Sequence, residues 1–163
     1  MGINRRNLAA ALALVCALAL PFGAVAGSTT VTYGVRGIEI HATATQGTFT
    51  GVAWAADDAG TWYAVVQHTV FDAGRNATIT GGTFTLDGTT RDVSGTFTSG
   101  SVTLVSADPG CGREFFDVGG QLMLADGGTG TFSATLVHYR TPFFGRCITY
   151  GATVRGIAAL TLA

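Results

Sequence analysis

The sequence predicts an all-β protein, an antiparallel up-and-down β-barrel of about eight strands with one disulfide. Three observations carry that expectation. Short alternating apolar and polar segments recur with Gly, Asp, Asn and Ser between them, the pattern of strands joined by tight turns. No segment after residue 26 places apolar residues at helical spacing. Several strands, such as Trp62-Tyr-Ala-Val-Val66, are apolar on both faces. A two-sheet sandwich would leave such edges unpaired, whereas closing the sheet removes them.

Residues 1–26 stand apart from this pattern. Arg5 and Arg6 precede an uncharged apolar run over 8–20, which Pro21 ends, and Ala24-Val25-Ala26 has the small residues of a signal-peptidase site. The run is too short for a membrane helix, which needs about 20 apolar residues. The reading is a cleaved secretory signal over residues 1–26 and a single β-barrel domain over 27–163. The mature chain is then exported, with no membrane span.

That mature part keeps all ten acids and seven of the nine arginines, and contains no lysine. The balance argues against nucleic acid or an anionic membrane as partner, since either would want a basic face. Its 25 threonines and many glycines favour strands and turns.

The strands are expected in order. Residues 29–45 form one or two strands kinked near Gly37, and 48–55 the next, before the turn Asp57-Asp-Ala-Gly60. The longest clean run is 61–71, ended by Asp72-Ala-Gly-Arg-Asn76. Residues 77–86 contain a Gly81-Gly82 pair that suggests a bulge. Turns at Asp87-Gly88 and Ser99-Gly100 then bound strands at 92–98 and 101–106. Segments 114–124, 130–140, 147–154 and 157–162 complete the set. Gly-Thr-Phe recurs at Gly47, Gly82, Gly95 and Gly130, a small residue followed by an aromatic, which suits bending and filling a small barrel.

Beyond the signal only Cys111 and Cys147 remain, and an exported protein oxidises such a pair. Closing the loop 111–147 would stabilise the fold by roughly 4 kcal/mol in the chain-entropy picture. Neither cysteine belongs to a Cys-x-x-Cys spacing that would suggest a metal.

The candidate site residues cluster around the stretch 136–150. His68 shares strand parity with Trp62, Ala64 and Val66, and His138 with Phe132, Ala134 and Leu136, so both imidazoles could face the lumen. His41 and Glu39 share a parity assigned to the solvated face. No His-x-His or His-Glu-x-x-His spacing supports a metal, and no cofactor is expected. Asp57, Asp58, Asp72 and Asp87 read as turn residues capping their own backbone. Glu114 follows Arg113 and reads as its local ion-pair partner. The disulfide would gather Arg113, Arg140 and Arg146 at one end, with Phe143 and Phe144 near the mouth. Such a rim suits an anionic or amphipathic ligand.

Two stretches resemble known families. Gly127-Gly-Thr-Gly-Thr-Phe132 resembles the GGTGxF hairpin of the allene oxide cyclase and dirigent-like barrels, eight-stranded barrels that enclose an apolar ligand. Gly60-Thr-Trp-Tyr63 is similar to the first hairpin of the avidin family. There the next residue is a biotin-binding asparagine; here it is Ala64, and no tryptophan follows Trp62. Biotin binding is therefore not carried over.

Together these readings favour a non-catalytic barrel for a small apolar or amphipathic molecule, contacted by Trp62, His68, His138 and the rim residues. The alternatives are a cyclase- or isomerase-type enzyme using His68 or His138 for proton transfer, and a protein-binding module anchored by Phe143 and Phe144.

Overall fold

A computed structural model describes residues 28–163; the signal-peptide reading lies outside them. Eight strands follow one another: β1 (Thr29–Ala42), β2 (Gln46–Trp54), β3 (Ala59–His68), β4 (Ala77–Gly88), β5 (Asp92–Ala107), β6 (Glu114–Leu124), β7 (Thr129–Phe143) and β8 (Arg146–Leu162). Each pairs antiparallel with the next, and β8 returns to β1 with Thr30 opposite Thr161 and Ile38 opposite Thr153. The sheet is a closed up-and-down barrel with one disulfide, as its alternating pattern predicts.

Two expected turns are absent. Ser99-Gly100 lies inside β5, and residues 147–154 and 157–162 belong to the single strand β8. In both places glycine serves strand packing. A Cβ at Gly100 would run into the Gly119 carbonyl oxygen on β6, and one at Gly156 into Ser133 and Ala134 on β7. The bare backbone lets neighbouring strands approach while the ladder continues. The bulge expected near Gly81-Gly82 is present, because Gln67 pairs with Gly81 but His68 with Ile79. It flips the inward phase of β4 from Ala77 and Ile79 to Phe84 and Leu86.

The inward faces build the core. Tyr33, Val35, Trp62, Ala64, Val66, Leu86, Phe97, Phe116, Leu122, Leu136, Val154 and Leu160 are buried. Two of the repeated Gly-Thr-Phe glycines, Gly47 and Gly95, lie against phenylalanine rings. A Cβ on Gly47 would meet the Phe49 ring at 2.7 Å, and one on Gly95 the Phe84 ring at 2.8 Å. Gly47 and Gly95 thus make room for a ring, and rings meet edge to face, Phe84 with Phe97 at 6.0 Å and Phe97 with Phe132 at 6.2 Å.

The two ends of the barrel are built differently. At the end where the chain terminates, the Tyr33 hydroxyl donates to Asp58 Oδ2 at 2.7 Å, and the Thr90 amide donates to Asp58 Oδ1 at 2.9 Å. The Thr89 hydroxyl adds a third bond at 3.2 Å, while Arg91 pairs with Asp57 at 2.7 Å. These donors, Tyr33 first, hold the Asp58 carboxyl well below the usual carboxylate range. Burial, then the Asp58 contact, raises the Tyr33 hydroxyl above its ordinary value. Asp58 is therefore a buried cross-loop tie. Asp72 does act locally as expected, accepting from the Asn76 amide at 2.8 Å.

The opposite end carries the staple. Cys111 and Cys147 are joined, with Cα atoms 5.3 Å apart, and tie the β6-preceding loop to the start of β8.

Candidate functional site

A cavity of about 120 Å³ occupies the lumen. Its walls include Phe49, Trp62, Ala64, Val66, Phe84, Phe97, Leu122, Phe132 and Leu136, and it reaches exposed Ala42 and Thr43 at the stapled end. Phe71, from the loop between β3 and β4, lies beside that mouth. The Trp62 indole N–H is satisfied by the Val52 and Arg36 carbonyls, at 3.1 and 3.3 Å. Only the apolar surface of Trp62 is thus left for an occupant.

Three chemistry-bearing side chains line the cavity: His68, His138 and Glu39. His68 Nδ1 donates to the Thr69 carbonyl at 2.8 Å, because a carbonyl can only accept. His138 stacks against Phe116 with ring centres 5.0 Å apart. Both of its ring nitrogens are buried and unpartnered. Glu39 Oε2 lies 3.6 Å from His138 Nε2, and both side chains are nearly enclosed, at 11% and 13% exposure. That separation is an ion-pair contact but too long for a hydrogen bond.

The register explains how residues a hundred positions apart meet. Ile38 is opposite Thr153, and His138 is opposite Ala152. Glu39 and His138 therefore flank Ala152 on β8, whose small side chain lets them approach each other. Burial pushes the Glu39 carboxyl up to about 7. Burial also lowers His138, with Arg75 and Arg140 adding to the shift and Glu114 opposing it. The dry lumen thus disfavours charge on either partner.

Glu39 departs from its expected solvated position. It continues the inward set Tyr33, Val35 and Gly37, while Arg36 and Ile38 point out. The pairing slips between Glu39 and His41, and this irregularity turns His41 to solvent despite its shared parity. The phase of Arg36 was the signal available in sequence.

The arginine rim is also built otherwise than expected. Buried Glu114 accepts from Arg140 at 2.7 Å and from Arg75 at 2.9 Å, rather than from neighbouring Arg113. Arg113 pairs with Asp108 at 2.9 Å, which lowers the Asp108 carboxyl. Arg140 further donates to the Gly112 carbonyl at 2.9 Å, fastening the disulfide loop to the barrel. Arg75 sits at φ 61° in the loop after β3, with its guanidinium 5.9 Å from the Phe71 ring centre. Phe143 and Phe144 meet edge to face with ring centres 4.5 Å apart and are exposed, as is Arg146. Of the residues expected to contact a ligand, Trp62, His68 and His138 line the cavity; Arg113, Arg140, Arg146, Phe143 and Phe144 do not.

Among the described residues, no group of three or more His, Cys, Asp or Glu could hold a metal ion. No family model, curated protein or solved structure matches the chain.

Proposed function

We propose that the protein is an exported barrel that binds a small apolar or amphipathic molecule in its lumen without transforming it. The observation that carries this reading is the cavity of about 120 Å³ with aromatic and aliphatic walls, reaching the surface at one end. An apolar cavity of about 150 Å³ accepts benzene in a designed case, so a single-ring ligand is the matching scale. Eight strands leave room for packed side chains or one small ligand, and the inward glycines and alanines here favour the second outcome.

The Cys111–Cys147 bridge supports an oxidising, exported setting. The resemblance of residues 127–132 to allene oxide cyclase and dirigent-like barrels is consistent with an enclosed apolar ligand. No arginine lines the cavity, so a neutral head group suits it better than the anionic one expected from the rim.

Calorimetric titration with ethylbenzene tests the reading. One saturable site per chain is expected, lost in Ala64→Leu, where added methylenes fill the space between Phe49 and Phe84. Absence of saturable binding of ethylbenzene, benzyl alcohol, benzylamine and benzoate alike to the folded wild type would reject it.

A further inference from the structure

We propose that Glu39 and His138 form a hydroxyl-recognition site, through which the lumen takes a compact neutral alcohol in preference to a hydrocarbon of the same shape. This rests on the ligand-binding reading above and adds the head-group chemistry. The starting point is an incomplete polar cluster. Both His138 nitrogens are buried without a partner, whereas buried polar groups in folded proteins are nearly always bonded. An unpartnered buried group is costly, and here it faces a cavity.

The geometry selects the missing partner. His138 Nε2 and Glu39 Oε2 are 3.6 Å apart, too far to bond each other. One oxygen set beside the pair, off the line that joins them, can reach both at about 2.8 Å. A hydroxyl donates one bond and accepts another, so it complements a carboxyl and an imidazole in any neutral tautomer. A ligand cation would approach Arg75 and Arg140, two guanidinium groups that share the single carboxylate of Glu114. A ligand anion would enter the same apolar lumen with no cationic side chain among the lining residues to offset its desolvation. The burial that disfavours charge on Glu39 and His138 disfavours it equally on a guest.

The remaining lining sets the body. Phe49, Phe84, Phe97 and Phe132 surround a space suited to one ring. Glu39 and His138 belong to the stapled end of the barrel, so the hydroxyl would point towards the mouth and the ring towards the interior.

Four probes of nearly equal shape separate the possibilities by titration calorimetry: ethylbenzene, benzyl alcohol, benzylamine and benzoate. Wild type should bind benzyl alcohol at least as tightly as ethylbenzene. Glu39→Met and His138→Phe should each move the alcohol-to-hydrocarbon preference towards ethylbenzene by about tenfold, because the hydroxyl then loses a partner. Both variants should still bind ethylbenzene, and either one alone decides the question if the other does not fold. A preference unchanged in the variants, or tighter binding of benzylamine or benzoate, overturns the hydroxyl site while leaving the ligand-binding barrel intact. Failure of all four probes overturns both.

Discussion

Replacing Glu39 by Gln should stabilise the protein at neutral and alkaline pH and leave it nearly unchanged in acid. The folded carboxyl holds its proton to about 7, against an ordinary value of 4.5. Below pH 4.5 the carboxyl is protonated in folded and unfolded chains alike, and no penalty arises. Between 4.5 and 7 the unfolded chain ionises while the folded chain resists. Wild-type stability therefore falls across that window and levels off above it. At about 1.4 kcal/mol per pH unit of displacement, the full loss is about 3 kcal/mol.

Gln keeps the shape and has no charge to bury, so the stability gap between variant and wild type should open from pH 4.5 and plateau above 7. The groups facing Glu39 are His138 across Ala152, His68 on the cavity wall and, behind His138, Arg75, Arg140 and Glu114. His138 contributes the opposite slope, since its folded value lies below 6.5 and stability is lost as pH falls through that region. Both proteins retain this contribution, and the difference between them isolates Glu39. Urea unfolding with the disulfide intact, at half-unit steps from pH 4 to 8.5, provides the curve. Parallel pH profiles, or a Gln variant less stable than wild type at pH 8, would refute the argument that the lumen is dry around Glu39.

Two other perturbations follow from the stapled end. Cys147→Ser should lower stability by up to roughly 4 kcal/mol, measured by urea unfolding against the oxidised wild type; equal stability would show that the staple constrains little of the unfolded chain. Glu114→Ala should cost about 3 kcal/mol in the same assay, because it leaves Arg75 and Arg140 facing each other over a buried position.

The strands, their closure, the disulfide and the aromatic lumen were legible because each depends on local alternation or on simple counting. Merging of segments in β5 and β8 was not. Glycine marks both a turn and a close approach between strands, and only the neighbouring backbone at Gly119 or Ser133 distinguishes them. His68 and His138 were found by parity, since the slip beside His68 puts its extra residue on β4 and the one between β7 and β8 falls after His138. Glu39 was missed because its charge outweighed the inward phase of Tyr33 and Val35. The partners of Glu114 lie 39 and 26 residues away, on a loop and a neighbouring strand. Sequence proximity to Arg113 carries no information about either.

The contrast between the barrel's ends is what makes the Glu39–His138 pair informative. At the end where the chain terminates, both oxygens of Asp58 are bonded, and the tyrosine, two threonines and an arginine around it form a connected network. Glu114 at the stapled end is likewise bonded, by Arg75 and Arg140, so this fold pairs its buried acids at both ends and the Glu39 side chain stands apart from them. Glu39 is instead set 3.6 Å from an imidazole whose two nitrogens have no partner, beside the small residue Ala152. An apolar pair at these positions would fill the lumen and remove the charge-burial cost. Polar groups held apart beside an apolar cavity are costly to the empty barrel and useful to an occupied one, which is the arrangement a binding site requires.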